Sequence, residues 1–189
     1  MEKLIGLKKV KTAVFISGTG SNLRNLIKFA KIKMSPISVD LIISNTCKAK
    51  GLRFADEFKI KKKIFDLRNN EKNILSLLKK EKIKLICLAG FMKILSKDFI
   101  KKFDGKIINI HPSLLPKYKG LNTHSRAINN KDKFTGCSVH YVTARLDSGK
   151  VILKSIIKIL AKDTATTLAK KVLIQEHKLY PAAIMKIFN

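Results

Sequence analysis

The chain has 189 residues, of which 46% are hydrophobic and 28% are charged, and its formal net charge is +27 at pH 7. This length suffices for one domain that buries most of its apolar surface, and no apolar run reaches the roughly 18 residues of a membrane-spanning helix, so we expect a cytoplasmic protein without a membrane partner. The positive charge comes from five arginines and 35 lysines spread along the chain with no tryptophan, and because nucleic-acid recognition favours arginine forks and aromatic platforms, we expect no nucleic-acid partner.

Strands and helices alternate through the first two thirds of the chain. In chain order, the hydrophobic pattern predicts a strand over 10–17, a helix over 22–30, a strand over 39–44, helices over 49–58 and 70–81, a strand over 83–89, a helix over 96–103 and a strand over 106–110. Such alternation predicts βαβ units and an open, mostly parallel, Rossmann-like sheet flanked by helices.

The pattern changes beyond Gly136. Residues 137–142 alternate between apolar and polar types, and residues 151–159 read as their antiparallel partner. A long final helix is predicted from Asp163 to Tyr180, with a stop or a kink at Pro181. No linker or repeat divides the chain, so we expect a single α/β domain over 1–189 with an antiparallel C-terminal hairpin and a long C-terminal helix.

The turn after the first strand, I-S-G-T-G-S-N-L, has the composition of an anion-binding loop. Gly18 and Gly20 permit a sharp turn, and Ser21 or Asn22 can cap the helix that follows. The unpaired N–H groups of such a helix start attract phosphate. Leu23 stands where a dinucleotide-binding fingerprint has its third glycine, and no G-K-[ST] follows, so the loop fits a monophosphate. A purely structural turn remains the alternative.

Two further segments lie where the strands of an open sheet end and ligands gather. Residues 89–95, A-G-F-M-K-I-L, are more apolar than a loop usually is and either line a pocket for a flat organic ligand or belong to the core. Asn109 and His111 are two apart on a strand and therefore face the same side, and Pro112 and Pro116 stiffen the chain after them. Both side chains can donate to an oxygen that gains negative charge.

Asp147 in R-L-D-S-G is either an ordinary turn residue or the carboxylate that completes a site with Asn109 and His111. The four histidines have no metal-binding spacing, and no G-x-S-x-G is present, so neither a metal nor a covalent serine nucleophile is predicted. The three cysteines share no C-x-x-C spacing and are interpreted as structural residues of a protein from a reducing compartment.

Several segments taken together resemble the phosphoribosylglycinamide formyltransferase family. They are S-G-T-G-S-N-L, I-S-N-T-C-K-A-K-G-L, L-A-G-F-M-K-I-L-S, N-I-H-P-S-L-L-P-K-Y-K-G-L-N-T-H, S-V-H-Y-V-T-A-R-L-D-S-G and Q-E-H-K-L-Y-P, which follow the family's order across residues 12–188. The resemblance implies transfer of a formyl group from the co-substrate 10-formyltetrahydrofolate to the amine of glycinamide ribonucleotide in purine (IMP) biosynthesis, by a monomer or a homodimer. It also implies that the N-terminal half binds the ribonucleotide phosphate and that the C-terminal half binds folate and carries the catalytic residues.

The resemblance assigns a role to individual residues. The family's catalytic set matches Asn109, His111 and Asp147. We therefore expect direct attack of the amine, with Asn109 and a protonated His111 donating to the oxyanion and with Asp147 keeping His111 charged and accepting the amine proton. The family's substrate-binding residues match Gly20, Ser21, Asn22 and Glu176. The folate side matches Met92, Lys93, Ile94 and Leu95, with Asn109 shared and with Arg68 in a loosely aligned region. This chain departs from the family pattern at D-S-G-K, where D-G-G-P is usual, at Asn122, where His is usual, and at Lys93, where Arg is common.

Three other functions are alternatives. Methionyl-tRNA formyltransferases share the N-x-H-P-S-L-L-P core and the formyl donor but carry an additional RNA-binding domain. Formyltetrahydrofolate deformylases hydrolyse the donor and carry an additional N-terminal domain. A non-catalytic basic module that binds nucleic acid would leave the loop at 18–22 and the Asn109–His111–Asp147 set without a purpose.

Overall fold

The structure, a computed structural model, describes residues 8–188, apart from the side chains of residues 67–69. The strands are β1 (Val10–Ile16), β2 (Ile37–Ser44), β3 (Lys61–Ile64), β4 (Leu85–Leu88), β5 (Lys106–His111), β6 (Phe134–Tyr141) and β7 (Val151–Lys158). The helices are α1 (Ser21–Lys31), α2 (Arg53–Glu57, preceded by a 3₁₀ turn at Lys50–Leu52), α3 (Leu67–Lys80), α4 (Lys97–Lys102), α5 (Thr123–Asn129) and α6 (Ala165–Phe188).

The described strands form one sheet in the order β3-β2-β1-β4-β5-β6-β7. Strands β1 to β5 are parallel, whereas β6 and β7 are antiparallel to their neighbours. The predicted Rossmann-like α/β fold with an antiparallel C-terminal hairpin is therefore confirmed. The carboxyl ends of β1, β4 and β5 lie along one edge of the sheet, where a ligand site is expected.

Apolar side chains cover both faces of the sheet. On one face α1 and α6 pack through Leu26 and Val172, and on the other α3 and α4 pack through Ile74 and Phe99. Because both faces of β4 are covered, its four residues are all buried, as its continuous apolar run predicts. Tyr180 of α6 is fully buried, and its hydroxyl hydrogen is shared between the carbonyl oxygens of Leu88 and Ile108, which lie 3.0 and 3.2 Å from the hydroxyl oxygen.

Two short elements have no counterpart in the sequence prediction. All four residues of β3 are exposed and three of them are lysines, so this edge strand is held by backbone pairing to β2 and carries no hydrophobic pattern. Charged side chains on an edge strand also discourage pairing with other chains. Helix α5 is seven residues long and follows Asn122, whose φ of 57° places it in the left-handed region.

Helix α6 continues past Pro181 and ends at Phe188, so of the two outcomes predicted at this proline, a stop or a kink, the stop is wrong. Proline has no N–H to donate to the carbonyl four residues earlier, which belongs to His177. The side chain of Asn25 in α1 supplies the missing donor, because its Nδ2 lies 2.6 Å from the His177 carbonyl oxygen. A tertiary hydrogen bond thus replaces the helical one.

We expect Asn25→Ala to lower the free energy of unfolding by about 1–2 kcal/mol, because the His177 carbonyl then lacks a donor in a partly buried position. Urea unfolding of a double-mutant cycle with Pro181→Ala measures this. Alanine at position 181 restores a backbone N–H, so the same Asn25→Ala change should have a much smaller effect in that background. An equal loss in both backgrounds would contradict the compensation.

Candidate active site

Strand β5 places Asn109 and His111 on the same face of the sheet, at its carboxyl end. Strand β6 runs antiparallel beside it, with His140 in register opposite Asn109. Directly opposed side chains in an antiparallel pair lie on the same face. The Nδ2 atom of Asn109 is 3.2 Å from Nε2 of His140, and Nδ1 of His140 donates to the Tyr141 carbonyl at 2.8 Å.

Asp147 lies in the connection between β6 and β7, which folds back over the end of β5. Its Oδ2 is 3.4 Å from Nδ1 of His111, and its Oδ1 is 3.5 Å from Nε2 of His140. The backbone N–H of Gly120 donates to Oδ2 at 2.9 Å. The structure therefore brings the carboxylate to the Asn109–His111 pair, the arrangement that the sequence leaves as one of two alternatives.

The orientation of the His111 ring is fixed by a backbone contact. Its Nε2 lies 2.9 Å from the carbonyl oxygen of Tyr118. A carbonyl can only accept, so Nε2 carries the hydrogen, and Nδ1 is the nitrogen that faces Asp147. In the neutral ring Nδ1 is therefore a lone pair that can take up a proton.

Burial controls the charges of this cluster. Desolvation lowers the pKa of His111, against the raising effects of the Tyr118 hydrogen bond and the Asp147 charge. Burial by itself raises the pKa of Asp147, but the interaction with His140, the hydrogen bond from the Gly120 N–H and the interaction with His111 outweigh it, so this pKa lies below its ordinary value. At neutral pH the site without ligand thus contains a neutral His111 beside an ionised Asp147.

The loop after β1 is shaped by close backbone contact. Gly20, with φ 77°, is the N-cap of α1, so neither Ser21 nor Asn22 caps the helix, and no side-chain cap bond is present there. A Cβ on Gly20 would lie 2.6 Å from the Cα of Gly51, so only glycine fits at this position. The first-turn N–H groups of α1 have no capping side chain and are left for an anion.

Helix α6 contributes two side chains to this loop. Glu176 accepts from Nδ2 of the buried Asn22 at 2.6 Å, and His177 Nε2 is 2.8 Å from the Ser21 hydroxyl oxygen. Burial raises the pKa of Glu176, against the opposing effect of the Asn22 hydrogen bond. The Oδ1 atom of Asn22 is buried and has no hydrogen-bond partner among the residues that the structure describes. The loop thus contains an unsatisfied polar group, as expected where a polar ligand is to bind.

The apolar segment after β4 divides between surface and core. The side chains of Met92 and Ile94 are 63% and 67% exposed and Lys93 is exposed, whereas Leu95 is only 3% exposed and packs in the core near Phe99. The Ser17 hydroxyl accepts from the Met92 N–H at 2.8 Å, so this segment is hydrogen-bonded to the residue that precedes the loop at 18–22, the proposed phosphate loop. Arg68 lies in α3, but its side chain is outside the described residues.

The cluster offers donors and proton acceptors rather than a nucleophile or a metal site. Burial raises the pKa of the Cys87 and Cys137 thiols to about 12, which keeps both protonated. Within residues 8–188, no group of three or more His, Cys, Asp or Glu residues is placed to hold a metal ion. No helix in the same part of the chain is long and apolar enough to cross a bilayer.

Sequence reasoning does not identify three residues that shape the site, namely His140, Tyr118 and His177. His140 lies in a segment whose alternation predicts a strand, and pairing that strand with β5 would have placed the imidazole opposite Asn109. Tyr118 acts through its carbonyl, which every residue has, so its type carries no signal for this contact. His177 contacts a residue that is 156 positions away, which no local pattern can indicate.

Comparison with known proteins places this geometry in a family. The family model for formyl transferases matches residues 10–184. The chain is 40% identical over 186 residues to the human trifunctional purine biosynthetic protein adenosine-3. The alignment covers 95% of this chain but only 18% of the human protein. The chain thus spans less than a fifth of the length of the trifunctional animal relatives that it matches.

Bacterial relatives are matched over most of their length. The phosphoribosylglycinamide formyltransferase of Haemophilus influenzae is 40% identical over 92% of this chain and 85% of its own. The crystal structure of phosphoribosylglycinamide formyltransferase from Brucella melitensis superposes with a TM-score of 0.90 at 40% identity, covering 95% of this chain and 96% of that one. The chain belongs to the formyl transferase family, and within it to the group of the phosphoribosylglycinamide formyltransferases.

Proposed function

We propose that this chain transfers the formyl group of 10-formyltetrahydrofolate to the amine of glycinamide ribonucleotide, a step of purine biosynthesis. The observation that carries the proposal is the Asp147 carboxylate held 3.4 Å from His111 and 3.5 Å from His140, beside the Asn109 amide. Relatives with the phosphoribosylglycinamide formyltransferase name, at about 40% identity over most of the chain, support the choice of substrates.

The reaction requires stabilisation of an oxyanion. When the substrate amine attacks the formyl carbon, the carbonyl oxygen becomes negative while the nitrogen becomes positive. The Asn109 amide has a second N–H besides the one that faces His140, and this N–H can donate to the developing oxyanion. Donors that are already in place for such charge lower the barrier by several kcal/mol, typically about 3–4 for one donor.

The amine proton needs an acceptor, and the neutral His111 provides one. Its Nδ1 lone pair and the ionised Asp147 lie side by side, so a proton released by the amine, directly or through water, can be shared between them. The carboxylate and the oxyanion together stabilise the imidazolium that forms. When the intermediate collapses, the bond between the formyl carbon and the folate nitrogen breaks, and the proton held by His111 and Asp147 returns to that nitrogen, so tetrahydrofolate leaves as the neutral amine. His111 therefore acquires its charge during the reaction, because burial holds it neutral beforehand.

The phosphate of the ribonucleotide fits the loop that begins α1. The N–H groups of the first helical turn and the Ser21 hydroxyl supply donors, and Gly20 allows the backbone to approach the ligand closely. Glu176 and the unpartnered Oδ1 of Asn22 offer acceptors for hydroxyl groups next to the phosphate. The field of the +27 net charge favours capture of such anions.

The folate is assigned to the segment that follows β4. Met92 and Ile94 expose apolar surface to a flat ring, and Lys93 provides a positive charge. Leu95 is buried in the core, so in this proposal it contacts folate only through its backbone and supports the segment. Asn109 is shared between folate and catalysis, and Arg68 is a further folate contact in the proposal.

We further propose that residues 1–189 form one formyltransferase domain, whose N-terminal half binds the ribonucleotide and whose C-terminal half binds folate and performs the transfer. We expect the protein to be a cytoplasmic monomer or homodimer that acts on small molecules and binds neither nucleic acid nor a metal. Free buried thiols at Cys87 and Cys137 suit a reducing compartment.

The function is tested by incubating the purified protein with 10-formyltetrahydrofolate, with and without glycinamide ribonucleotide, and following release of tetrahydrofolate. We expect turnover only when the ribonucleotide is present. Release without the acceptor would instead indicate a deformylase, and transfer only to methionyl-tRNA would indicate the tRNA formyltransferase. No turnover with any acceptor by folded protein would contradict the proposal.

Replacing Asp147 by asparagine should lower kcat by about a hundredfold to ten-thousandfold, the range of general acid–base contributions, while KM for both substrates changes little. Asparagine keeps an acceptor for the Gly120 N–H but removes the charge beside His111. Steady-state kinetics, with circular dichroism to verify folding, measure the effect. A kcat close to that of the wild type would show that Asp147 has no role in the chemistry.

The His111 imidazole should titrate below its ordinary pKa of 6.5 in the free protein, since burial disfavours the charged ring. Asp147→Asn should lower this pKa further, because the carboxylate favours the imidazolium. NMR titration of the ring carbons of both proteins measures the two midpoints, with the resonance assigned by its loss in His111→Gln. A midpoint above 6.5 in the wild type, or a rise in the variant, would contradict the assigned electrostatics.

A further inference from the structure

One short loop contacts both members of the His111–Asp147 pair. The Tyr118 carbonyl accepts from Nε2 of His111 at 2.9 Å, and two residues later the Gly120 N–H donates to Oδ2 of Asp147 at 2.9 Å. The position of this loop, residues 117–120, therefore sets the ring orientation of the histidine and the position of the carboxylate together. Neither contact involves a side chain of the loop.

The loop backbone is unusual where it makes these contacts. Tyr118 has a φ of 55° and Gly120 has a φ of 76°, both in the left-handed region. That conformation is natural for glycine, but it is unfavourable for a bulky residue such as tyrosine unless other interactions hold it. The Tyr118 side chain must therefore supply contacts that keep its own carbonyl directed at His111.

Those contacts lead away from the reaction centre to the segment that follows α5. The Tyr118 hydroxyl donates to Oδ2 of Asp132 at 2.7 Å and accepts from Nδ2 of Asn130 at 2.8 Å. The Arg126 guanidinium lies 4.9 Å from the ring centroid, and Tyr118 as a whole is only 9% exposed. Arg126 also donates to the Lys119 carbonyl at 2.7 Å.

We propose that Tyr118 is a positioning residue for the formyl transfer. Its hydroxyl, which is hydrogen-bonded to Asp132 and Asn130, holds the 117–120 loop in place. The Tyr118 carbonyl then keeps the hydrogen of His111 on Nε2, so that Nδ1 faces Asp147 without a hydrogen. This inference deepens the proposed function and rests on it for its kinetic consequence. Its structural consequence, the choice of tautomer, does not depend on turnover.

The tautomer matters because the two ring nitrogens have different neighbours. With the hydrogen on Nε2, the Nδ1 lone pair is the proton acceptor beside the reacting groups. With the hydrogen on Nδ1, the neutral ring would donate to Asp147 instead, and the lone pair would face the Tyr118 carbonyl, where no proton is delivered. A histidine held in the wrong tautomer loses most of its effect as a base.

The test uses Tyr118→Phe, which removes the hydroxyl and keeps the ring under Arg126, together with Asp132→Ala and Asp132→Asn. Asparagine retains an acceptor for the hydroxyl, so Asp132→Asn is the conservative rescue of Asp132→Ala. Lys84→Met is the control, because it breaks an exposed ion pair, the one with Asp104, and touches neither the 117–120 loop nor Asp132. Nitrogen-15 NMR of histidine-labelled protein identifies the tautomer, and steady-state kinetics give kcat and KM.

We expect Tyr118→Phe and Asp132→Ala to shift His111 toward the Nδ1–H tautomer and to lower kcat by about tenfold to hundredfold, as for other residues that orient a functional imidazole, while KM stays within about twofold. Asp132→Asn and Lys84→Met should resemble the wild type in both respects. If Tyr118→Phe does not fold, the two Asp132 variants carry the comparison alone.

An unchanged tautomer in Tyr118→Phe and Asp132→Ala would overturn the proposal, as would a kcat like that of the wild type or a loss confined to KM. Failure of the proposed function is recognised separately, because it would appear as absence of transfer by the wild-type protein. The tautomer comparison would still be decisive in that case, since it is made without substrate.

Discussion

In the folded chain the Asp147 side chain is 7% exposed, and its carboxylate lies within 3.5 Å of a nitrogen from each of two buried histidines. A carboxylate buried in this way stays ionised only if donors compensate for the water it has lost. Here the Gly120 N–H is such a donor, and the pKa of Asp147 lies below its ordinary value because this bond and the interactions with His140 and His111 outweigh burial. The switch from parallel to antiparallel pairing at β5 and β6 is what makes this possible, because it sets His140 opposite Asn109.

The rest of the structure supports this cluster from a distance. Tyr180 joins α6 to the last residue of β4, Leu88, and to Ile108 of β5, which immediately precedes Asn109. The same helix is hydrogen-bonded to the proposed phosphate loop at 18–22 by its side chains Glu176 and His177. Because Asn25 supplies the donor that Pro181 lacks, α6 continues beyond this contact to Phe188. One helix therefore fixes both ends of the proposed site, the phosphate loop and the carboxyl end of β5.

Much of the fold follows from local patterns. The apolar runs of β1, β4 and β5 and the amphipathic face of α1 are sufficient to predict an open α/β sheet. Edge strand β3 escapes prediction because all of its side chains are exposed. Pro181 misleads because a local rule cannot anticipate the hydrogen bond that the His177 carbonyl accepts from Asn25, 152 positions earlier in the chain.

The candidate site is predictable to a similar degree. Spacing alone places Asn109 and His111 on one face, but the approach of Asp147 depends on the fold of a connection that its sequence leaves open. The neutral state of His111 cannot be obtained from the sequence, where an acidic neighbour suggests a charged ring. The burial that decides otherwise is a property of the whole fold.

A double-mutant cycle with Asp147→Asn and His111→Gln tests most directly whether the two residues act as one unit. If they share the amine proton as described, the second substitution should change kcat/KM by no more than about threefold once the first has been made. Independent roles would instead multiply the two losses. Multiplied losses in folded variants would contradict the central claim that the Asp147–His111 pair is the proton acceptor of the reaction.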